Sequence, residues 1–250
     1  IYTRNNFDEM GYTPTEGIGG KVLRSANIAE LHSNGMELSV SSTNIKTKDF
    51  SWITNFIYSY THTNITKLHN YASVRQLVNG SGFALKGYPA RSLFSIPFVG
   101  ISDEGTPLFR NEKGEITSTD INFQERAKTD FLKYEGPTDP VYTGSLGNIF
   151  SYKNFHLNIF MTYSFGNVLR LDPVFKSAYN DLSSMTKVFK NRWMRGGDEL
   201  ITNVPTIIDR YKYRKTSNVD RVYSAYNLSN VRVAKGDFIR LKEISLAYDF

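Results

Sequence analysis

Acidic side chains form the densest groups of residues that could serve as acids, bases or metal ligands. They lie in three places along the chain: Asp103–Glu104, Glu112–Glu115 and Asp198–Glu199. A glycosidase needs two carboxyl groups that face each other about 5–10 Å apart across the scissile bond. Pairs that are adjacent in sequence within turn-rich segments do not face each other in this way. We therefore interpret these groups as solvated loop charges and predict no catalytic residue.

The other polar motifs also lack the spacing that metal binding, nucleophilic catalysis or phosphate binding requires. The four histidines (His32, His62, His69 and His156) show no His-x-x-x-His spacing, and there is no cysteine, so no metal site is predicted. There is no Gly-x-Ser-x-Gly motif, and we interpret residues 80–82, GSG, as a turn rather than a phosphate loop. The net charge of +6 is spread along the chain, which argues against nucleic-acid binding. No cofactor is predicted.

The clearest structural pattern is the alternation in residues 155–165, FHLNIFMTYSF. Apolar or aromatic side chains occupy the odd positions: Phe155, Leu157, Ile159, Met161, Tyr163 and Phe165. Polar side chains occupy the even positions except Phe160: His156, Asn158, Thr162 and Ser164. A period of two is typical of a β-strand with one buried face. That face could meet either a protein core or the hydrocarbon of a membrane.

Similar alternation predicts strands at 35–44, 50–60, 142–151 and 237–249, and a partial strand near the first seven residues. Several of these strands carry rings near their ends, among them Trp52, Tyr58, Phe155 and Tyr248. Aromatic rings with a polar tip favour the boundary between membrane and water. We therefore assign these residues, together with the odd positions of 155–165, to a lipid-facing surface with aromatic girdles.

The connections alternate between short and long. Residues 44–49 and 152–154 form short turns, whereas residues 61–141 and 166–236 form long connections. Tight periplasmic turns and long outer loops are typical of outer-membrane barrels, while a soluble sandwich has turn signals every 8–12 residues. The sequence thus predicts an all-β, antiparallel transmembrane β-barrel, about six strands of which lie in this chain, with long extracellular loops.

The second long connection contains a helical pattern over residues 172–193. Asp172 can cap a helix, Pro173 suits its first turn, and apolar residues then recur at helical spacing. We expect this helix either to pack on the barrel mouth or to contact a substrate or partner. The candidate contact residues are Phe175, Tyr179, Phe189 and Trp193.

Six segments, in order, resemble the C-terminal part of the barrel of SusC/RagA-like TonB-dependent outer-membrane transporters. They are NGMELSV (34–40), FSW (50–52), GYPARSLFSIPFVGISDEGTPLFRNEKG (87–114), YTGSLGNIFSYKNFHLNIFMTYSFGN (142–167), RWMRGGDELITNVP (192–205) and GDFIRLKEISLAYDF (236–250). Family members show a Tyr-Lys-Asn-Phe turn, a Trp followed by Gly-Asp and Pro, and a Leu-Arg-Leu-Lys strand. Nothing in the chain resembles the family's plug domain, TonB-contacting box or signal peptide.

The resemblance implies that residues 1–250 are a C-terminal portion of a barrel of about 22 strands, without the plug domain and the last strands. It implies TonB-dependent import of a bulky nutrient, an oligosaccharide or an oligopeptide, across the outer membrane of a Gram-negative bacterium. A TonB complex would act through the absent N-terminal region, and a SusD-like surface lipoprotein would cover the barrel mouth. His156, Asn158, Thr162 and Ser164 would then line the lumen.

Two other interpretations stay open on the sequence. A soluble β-rich glycan-binding or adhesion module would bury the odd face of residues 155–165 under its own core. A passive porin would share the wall but would have neither plug nor lid. None of these interpretations makes the protein an enzyme.

Overall fold

The computed structural model describes residues 1–14, 23–80, 85–175, 186–207 and 219–250. The strands, in chain order, are β1 Tyr2–Pro14, β2 Leu23–Lys46, β3 Phe50–Leu68, β4 Ser92–Ser95, β5 Phe98–Ile101, β6 Pro107–Arg110, β7 Ile116–Thr117, β8 Lys133–Pro137, β9 Tyr142–Tyr152, β10 Phe155–Phe165, β11 Val168–Arg170, β12 Val233–Lys235 and β13 Phe238–Tyr248. The described residues contain the α-helices α1 Val74–Asn79 and α2 Val219–Asn227.

The main feature is a six-stranded antiparallel sheet in the order β1-β2-β3-β9-β10-β13. The predicted all-β, antiparallel class and the expected number of strands are confirmed. The bounds of β10, Phe155–Phe165, are those that the alternation in residues 155–165 predicted. The ten steps between its eleven residues, at about 3.4 Å each and tilted by about 40°, span roughly 26 Å along a membrane normal, close to the height of the apolar band of an outer-membrane barrel.

Strands β2 and β3 are much longer than predicted, so the expectation that a long connection begins at residue 61 is wrong. Their outer parts pair mainly through polar side chains, apart from Leu31 with Ile65, and so gave no sustained apolar alternation in the sequence. Ser33 Oγ and Thr63 Oγ1 are 2.8 Å apart across the two strands. Farther along, Lys67 Nζ lies 2.8 Å from Glu30 Oε1. The sheet therefore extends beyond the strand segments that show apolar alternation.

A β-bulge in β13 changes which residues share a face. Phe160 pairs with Glu243 and Met161 pairs with Leu241, so Lys242 is the extra residue. As a result, Ile239 and Leu241 lie on the same side of the sheet as Ile244 and Leu246. Simple alternation along the sequence does not give this grouping, because a bulge shifts the parity by one residue.

The two short turns lie at the same end of the strands and contact each other. Lys153, in the turn between β9 and β10, has a left-handed φ of 50°. Its backbone N–H donates to the carbonyl of Asp49, in the turn between β2 and β3, at 2.8 Å. The Thr47 N–H donates to the Phe50 carbonyl at 2.8 Å within the latter turn.

The described parts of the two long connections, residues 69–141 and 166–237, fold together at the opposite ends of the strands into a unit that we call the cap. Its hydrophobic core takes side chains from both connections, among them Phe94, Phe109, Val174 and Tyr223. In α1 the Ser73 side chain accepts from the Gln76 N–H, and the Gln76 side chain accepts from the Ser73 N–H. This reciprocal capping box is a helix start that the sequence analysis missed.

The helix predicted from Asp172 does not begin there, because residues 171–175 are not helical. Instead, residues 171–175 form hydrogen bonds with neighbouring parts of the cap. Arg232 Nη2 donates to the Asp172 carbonyl at 2.6 Å, and the Val174 N–H donates to Asn227 Oδ1 at 3.1 Å. Residues 176–185, which include Tyr179, lie outside the described residues, and Lys187–Asn191 form a 3₁₀-helix. No helix in the described part of the chain is long and apolar enough to cross a membrane.

Candidate functional site

One face of the sheet, which we call the apolar face, collects the predicted lipid-facing side chains. Residues directly opposite each other in neighbouring strands share a face. Leu157 pairs with Phe150 and Leu246, and Met161 pairs with Leu146 and Leu241. All nine predicted residues are on this side: Trp52, Tyr58, Phe155, Leu157, Ile159, Met161, Tyr163, Phe165 and Tyr248.

Rings on the apolar face form two rows. Near the short turns, the centroids of Trp52 and Phe150 are 5.6 Å apart. Near the cap, those of Tyr60 and Tyr142 are 5.4 Å apart. Most of the side chains between the two rows are aliphatic. Two aromatic rows that flank an apolar band are typical of a barrel wall that crosses a membrane.

The opposite face, which we call the polar face, carries the predicted lumen-facing residues His156, Asn158, Thr162 and Ser164. The Nδ1 and Nε2 atoms of His156 lie 2.9 Å from Ser151 Oγ and 3.0 Å from Asp249 Oδ2. The order Ser–His–Asp matches a catalytic triad, but the triad's carboxylate is buried, whereas the Asp249 side chain is 75% exposed. We therefore interpret Ser151, His156 and Asp249 as a structural contact that links β9, β10 and the end of β13.

Phe160 is not an isolated exception on the polar face. It pairs with Gly147, and the Phe160 ring lies 3.5 Å from where a Cβ of Gly147 would be. Ile53 and Ile149 pair directly beside them. The apolar residues that break the polar pattern are thus neighbours across three strands.

The cap packs on the side of the sheet to which the polar face belongs. Leu31 and Ile65 pair on that side of the long outer strands and are buried. Ile65 also exchanges backbone hydrogen bonds with Gly87 and Tyr88 of the cap, at 2.9 and 3.0 Å. On the other side of the same strands, Asn34 is exposed.

Arg170 joins several parts of the cap. Its guanidinium donates to the carbonyls of Val78, Phe94 and Ser229 at 2.8–2.9 Å and to Ser95 Oγ at 3.1 Å. Burial lowers the pKa of Arg170 to about 10. The Arg170 cation thereby donates hydrogen bonds to the carbonyls of α1, β4 and the segment after α2. The sequence analysis did not identify Arg170 as a structural residue.

The candidate contact residues of the second long connection engage the cap. The Phe175 ring centroid lies 4.2 Å from that of Tyr223, whose pKa burial raises. Phe189 packs against the hydrophobic core. Trp193 Nε1 donates to Glu199 Oε2 at 2.9 Å. That these residues contact a substrate or partner stays a prediction.

The acidic groups lie in turns or, for Asp198 and Glu199, in the 3₁₀-helix Asp198–Leu200. The expectation of solvated charge does not hold for Glu112, whose Oε2 is buried without a hydrogen-bond partner among the described residues. Asp103 and Glu104 are in the turn between β5 and β6, and Glu112 is in the turn between β6 and β7. Glu199 accepts the Trp193 indole N–H and the Gly197 N–H, and these bonds hold its pKa below the ordinary range. The described residues contain no group of three or more His, Cys, Asp or Glu that could hold a metal.

Taken together, these features define a class. The chain forms an antiparallel wall with one apolar and one polar face. Short turns connect the strands at one end and the folded cap lies at the other end, as in the barrels of outer-membrane proteins. No family model matches the chain. Among curated proteins it is similar to "TonB-dependent receptor P3" of Formosa agariphila, at 26% identity over 99% of this chain and 24% of that protein. It is also similar to "TonB-dependent receptor P39" of the same organism, at 23% identity over 90% of this chain and 24% of that protein.

Solved structures agree in fold. The chain superposes on the "RagAB peptide transporter" with a TM-score of 0.69 and 20% identity, covering 98% of this chain and 26% of that chain. For the "RagAB peptide importer in the 'open-open' state" the TM-score is 0.68 at 22% identity, covering 98% and 25%. The chain thus spans about a quarter of the length of the proteins it matches. The predicted resemblance to SusC/RagA-like TonB-dependent transporters is confirmed.

Proposed function

We propose that the chain forms part of the wall and the extracellular cap of a transporter that imports a bulky nutrient across the outer membrane of a Gram-negative bacterium. Residues 1–250 would be a C-terminal portion of its barrel. Import would depend on a TonB complex acting through a plug domain outside this sequence. Transport would involve binding and gating, without bond-making chemistry.

The observation that carries the proposal is the apolar face itself. Phe155 is 49% exposed although its strand β10 pairs on both sides, and Ile244 and Leu246 of β13, the last strand of the sheet, are 61% and 69% exposed. Apolar surface this continuous marks a contact with lipid or with another protein. The roughly 26 Å span of β10 and the two aromatic rows favour lipid. The polar face, over which the cap folds, would then line the lumen.

The proposed partners follow from the resemblance. A SusD-like surface lipoprotein would bind the cap and deliver the substrate. The substrate would be an oligosaccharide or an oligopeptide, and peptides are the first class to test because RagAB is a peptide transporter. Tyr and Phe rings serve either class, because they stack on sugars and also pack against peptides.

Two lysine substitutions in the full-length protein test the orientation of the wall. Ile159 and Asn158 are adjacent in β10 but face opposite sides. A charge on the lipid side near mid-membrane costs about 2–4 kcal/mol, whereas a lumen position tolerates it. Ile159→Lys should therefore reduce the amount of heat-modifiable protein assembled in the outer membrane, and Asn158→Lys should not. Equal tolerance of both substitutions would overturn the proposed orientation.

Expression of residues 1–250 alone tests the soluble-module alternative. Both edges of the six-stranded sheet have unpaired backbone groups, which a membrane does not accommodate. We expect the isolated segment to aggregate or to require detergent. A monomeric protein that melts cooperatively without detergent would favour the soluble module instead.

A further inference from the structure

A groove lies on the apolar face, in the half of the wall that is nearer to the cap. Its volume is about 430 Å³, and it crosses four strands, β3, β9, β10 and β13. The side chains that line it are apolar or aromatic, among them Phe56, Leu146, Met161, Tyr163 and Ile239. The wall is therefore not uniformly flat where it carries its apolar residues.

Tyr163 accounts for the low surface inside the groove. Its ring lies directly over Gly144 of β9, which has no side chain to lift it, and its hydroxyl donates to the Ile57 carbonyl at 3.0 Å. The rings of Phe56 and Phe165 stack on it, with centroids 6.5 and 5.6 Å away and planes inclined by 21° and 24°. The ring is thus held against the sheet, and its hydroxyl already has an acceptor.

The strand pairing gives the depth of the groove. Met161 lies two residues from Ile159 toward the cap, and Tyr163, which pairs with Ile239, lies two residues farther. Two residues of a tilted strand advance by about 5 Å along the membrane normal. If the wall crosses the membrane as proposed above, with Ile159 near its middle, the groove lies about 5–15 Å from the middle, in the hydrocarbon of the outer leaflet.

The rest of a barrel cannot cover the centre of this groove. Strands β9 and β10 are each paired on both sides, so any further strand lies beside β1 or β13. The centre of the groove, between Leu146 and Tyr163, therefore stays open to the surroundings of the wall.

The shape and the lining of the groove favour a hydrocarbon chain. A chain on a flat wall touches protein on one side, whereas a chain in a groove touches it on several sides. Each atom contact contributes little dispersion energy, but many contacts together contribute much. A polar ligand would gain nothing here, because it would lose hydrogen bonds without replacing them.

We propose that this groove binds one acyl chain of a lipid in the outer leaflet. The chain lies against Met161 and Tyr163 and between the side chains of β9 and Ile239 of β13. This site rests on the proposed function, since lipid reaches the groove only where the apolar face lies in a membrane. It goes beyond that function, because the groove holds a chain in preference to the rest of the wall.

Photo-cross-linking in proteoliposomes tests the site. The full-length transporter is reconstituted in phosphatidylcholine that carries a photoreactive diazirine in the middle of one acyl chain, and cross-linked peptides are mapped by mass spectrometry. Ile239→Trp fills the groove from β13. Leu246→Trp is the matched control, because both residues lie on the apolar face of β13 and are 69% exposed. Ile239→Trp should lower cross-linking to residues 161–165 roughly four-fold, about the effect of one methylene group, and Leu246→Trp should not.

Two results would overturn the acyl-chain site: cross-linking to residues 161–165 that Ile239→Trp does not lower, or an equal loss in both variants. Heat-modifiable mobility shows that each variant is folded, and Leu146→Phe, which fills the groove from β9, replaces Ile239→Trp if that variant does not assemble. Cross-links at Leu157 and Leu246 without any in the groove would also overturn the site but not the proposed function. A wild type without cross-links anywhere on the apolar face would contradict the proposed function itself.

Discussion

The Tyr163 hydroxyl donates a hydrogen bond to the backbone carbonyl of Ile57 at 3.0 Å, although the two residues belong to strands separated by β9. The ring crosses β9 over Gly144, where any Cβ would collide with the Ile57 oxygen and the Tyr163 ring. Tyr2 lies over Gly35 in the same way on the other side of the sheet, with its hydroxyl 2.8 Å from Thr61 Oγ1. An aromatic ring thus covers a strand glycine on each face, which helps to fix the register.

Alanine substitutions at two glycines of β9 should have different effects. Gly144→Ala displaces Tyr163 and should cost about 1–3 kcal/mol, as overpacking does. Gly147→Ala is the matched control, because its Cβ would meet Phe160 at an ordinary 3.5 Å. Urea denaturation of the full-length protein in detergent or lipid, followed by loss of heat-modifiable mobility, measures the difference. Similar stability of the two variants would show that the crossing by Tyr163 does not fix the wall.

Arg170→Met should loosen the cap without unfolding the wall. The substitution leaves the carbonyls of Val78, Phe94 and Ser229 without their donor. A buried acceptor left without its donor costs about 1–3 kcal/mol. Limited proteolysis of the assembled transporter should then cleave within the cap, while the membrane-protected fragments persist.

Arg91→Met is the control for this prediction. The Arg91 side chain is 66% exposed and pairs with Asp139 at 3.1 Å. Exposed ion pairs contribute about 0–1 kcal/mol, so this variant should resist protease like the wild type. If Arg170→Met behaved as Arg91→Met does, Arg170 would have no role in joining the cap.

The segment of the cap around Trp193 should loosen in acid. Hydrogen bonds from Trp193 and from backbone N–H groups to the ionised carboxylate lower the pKa of Glu199 below its ordinary value of 4.5. Since the folded state binds this proton less readily, the contribution is fully present above pH 4.5 and is lost as the pH falls through the lowered pKa. Protease cleavage near residues 193–199 should therefore increase below that range.

Glu199→Gln isolates the titration of this group. The amide keeps the shape of the side chain but cannot ionise, so the acid-dependent part of the cleavage at residues 193–199 should disappear. A pH dependence that is the same in Glu199→Gln and in the wild type would assign the effect to other carboxylates.

Phe175→Ala separates packing from partner contact. The Phe175 ring packs on Tyr223, and truncation of a core-facing Phe costs up to about 3–5 kcal/mol. We expect greater protease sensitivity of the cap together with weaker co-purification of the proposed SusD-like lipoprotein. Weaker co-purification from a cap as resistant as that of the wild type would instead place Phe175 at the lipoprotein interface.

The strands of the wall could be predicted because one solvent acts on each face. Lipid or core selects apolar side chains at every second position, and in β10 this signal is unbroken on the apolar side. The outer parts of β2 and β3 could not be predicted, since the buried pair Leu31 and Ile65 is followed along the strands by polar pairs such as Ser33 with Thr63. No periodic apolar signal arises there.

The sequence by itself therefore determined the fold class, the six strands, the sorting of side chains in β10 and the resemblance to a transporter family. Only the tertiary structure decided three other features: the bulge at Lys242, the cap joined by Arg170, and the hydrogen bonds that link Asn44 to Thr54 and Thr54 to Asn148 across β2, β3 and β9. Each depends on contacts between residues about 10 to more than 90 positions apart in sequence. Local patterns report what one strand or helix must bury, whereas such contacts exist only after the chain has brought distant segments together.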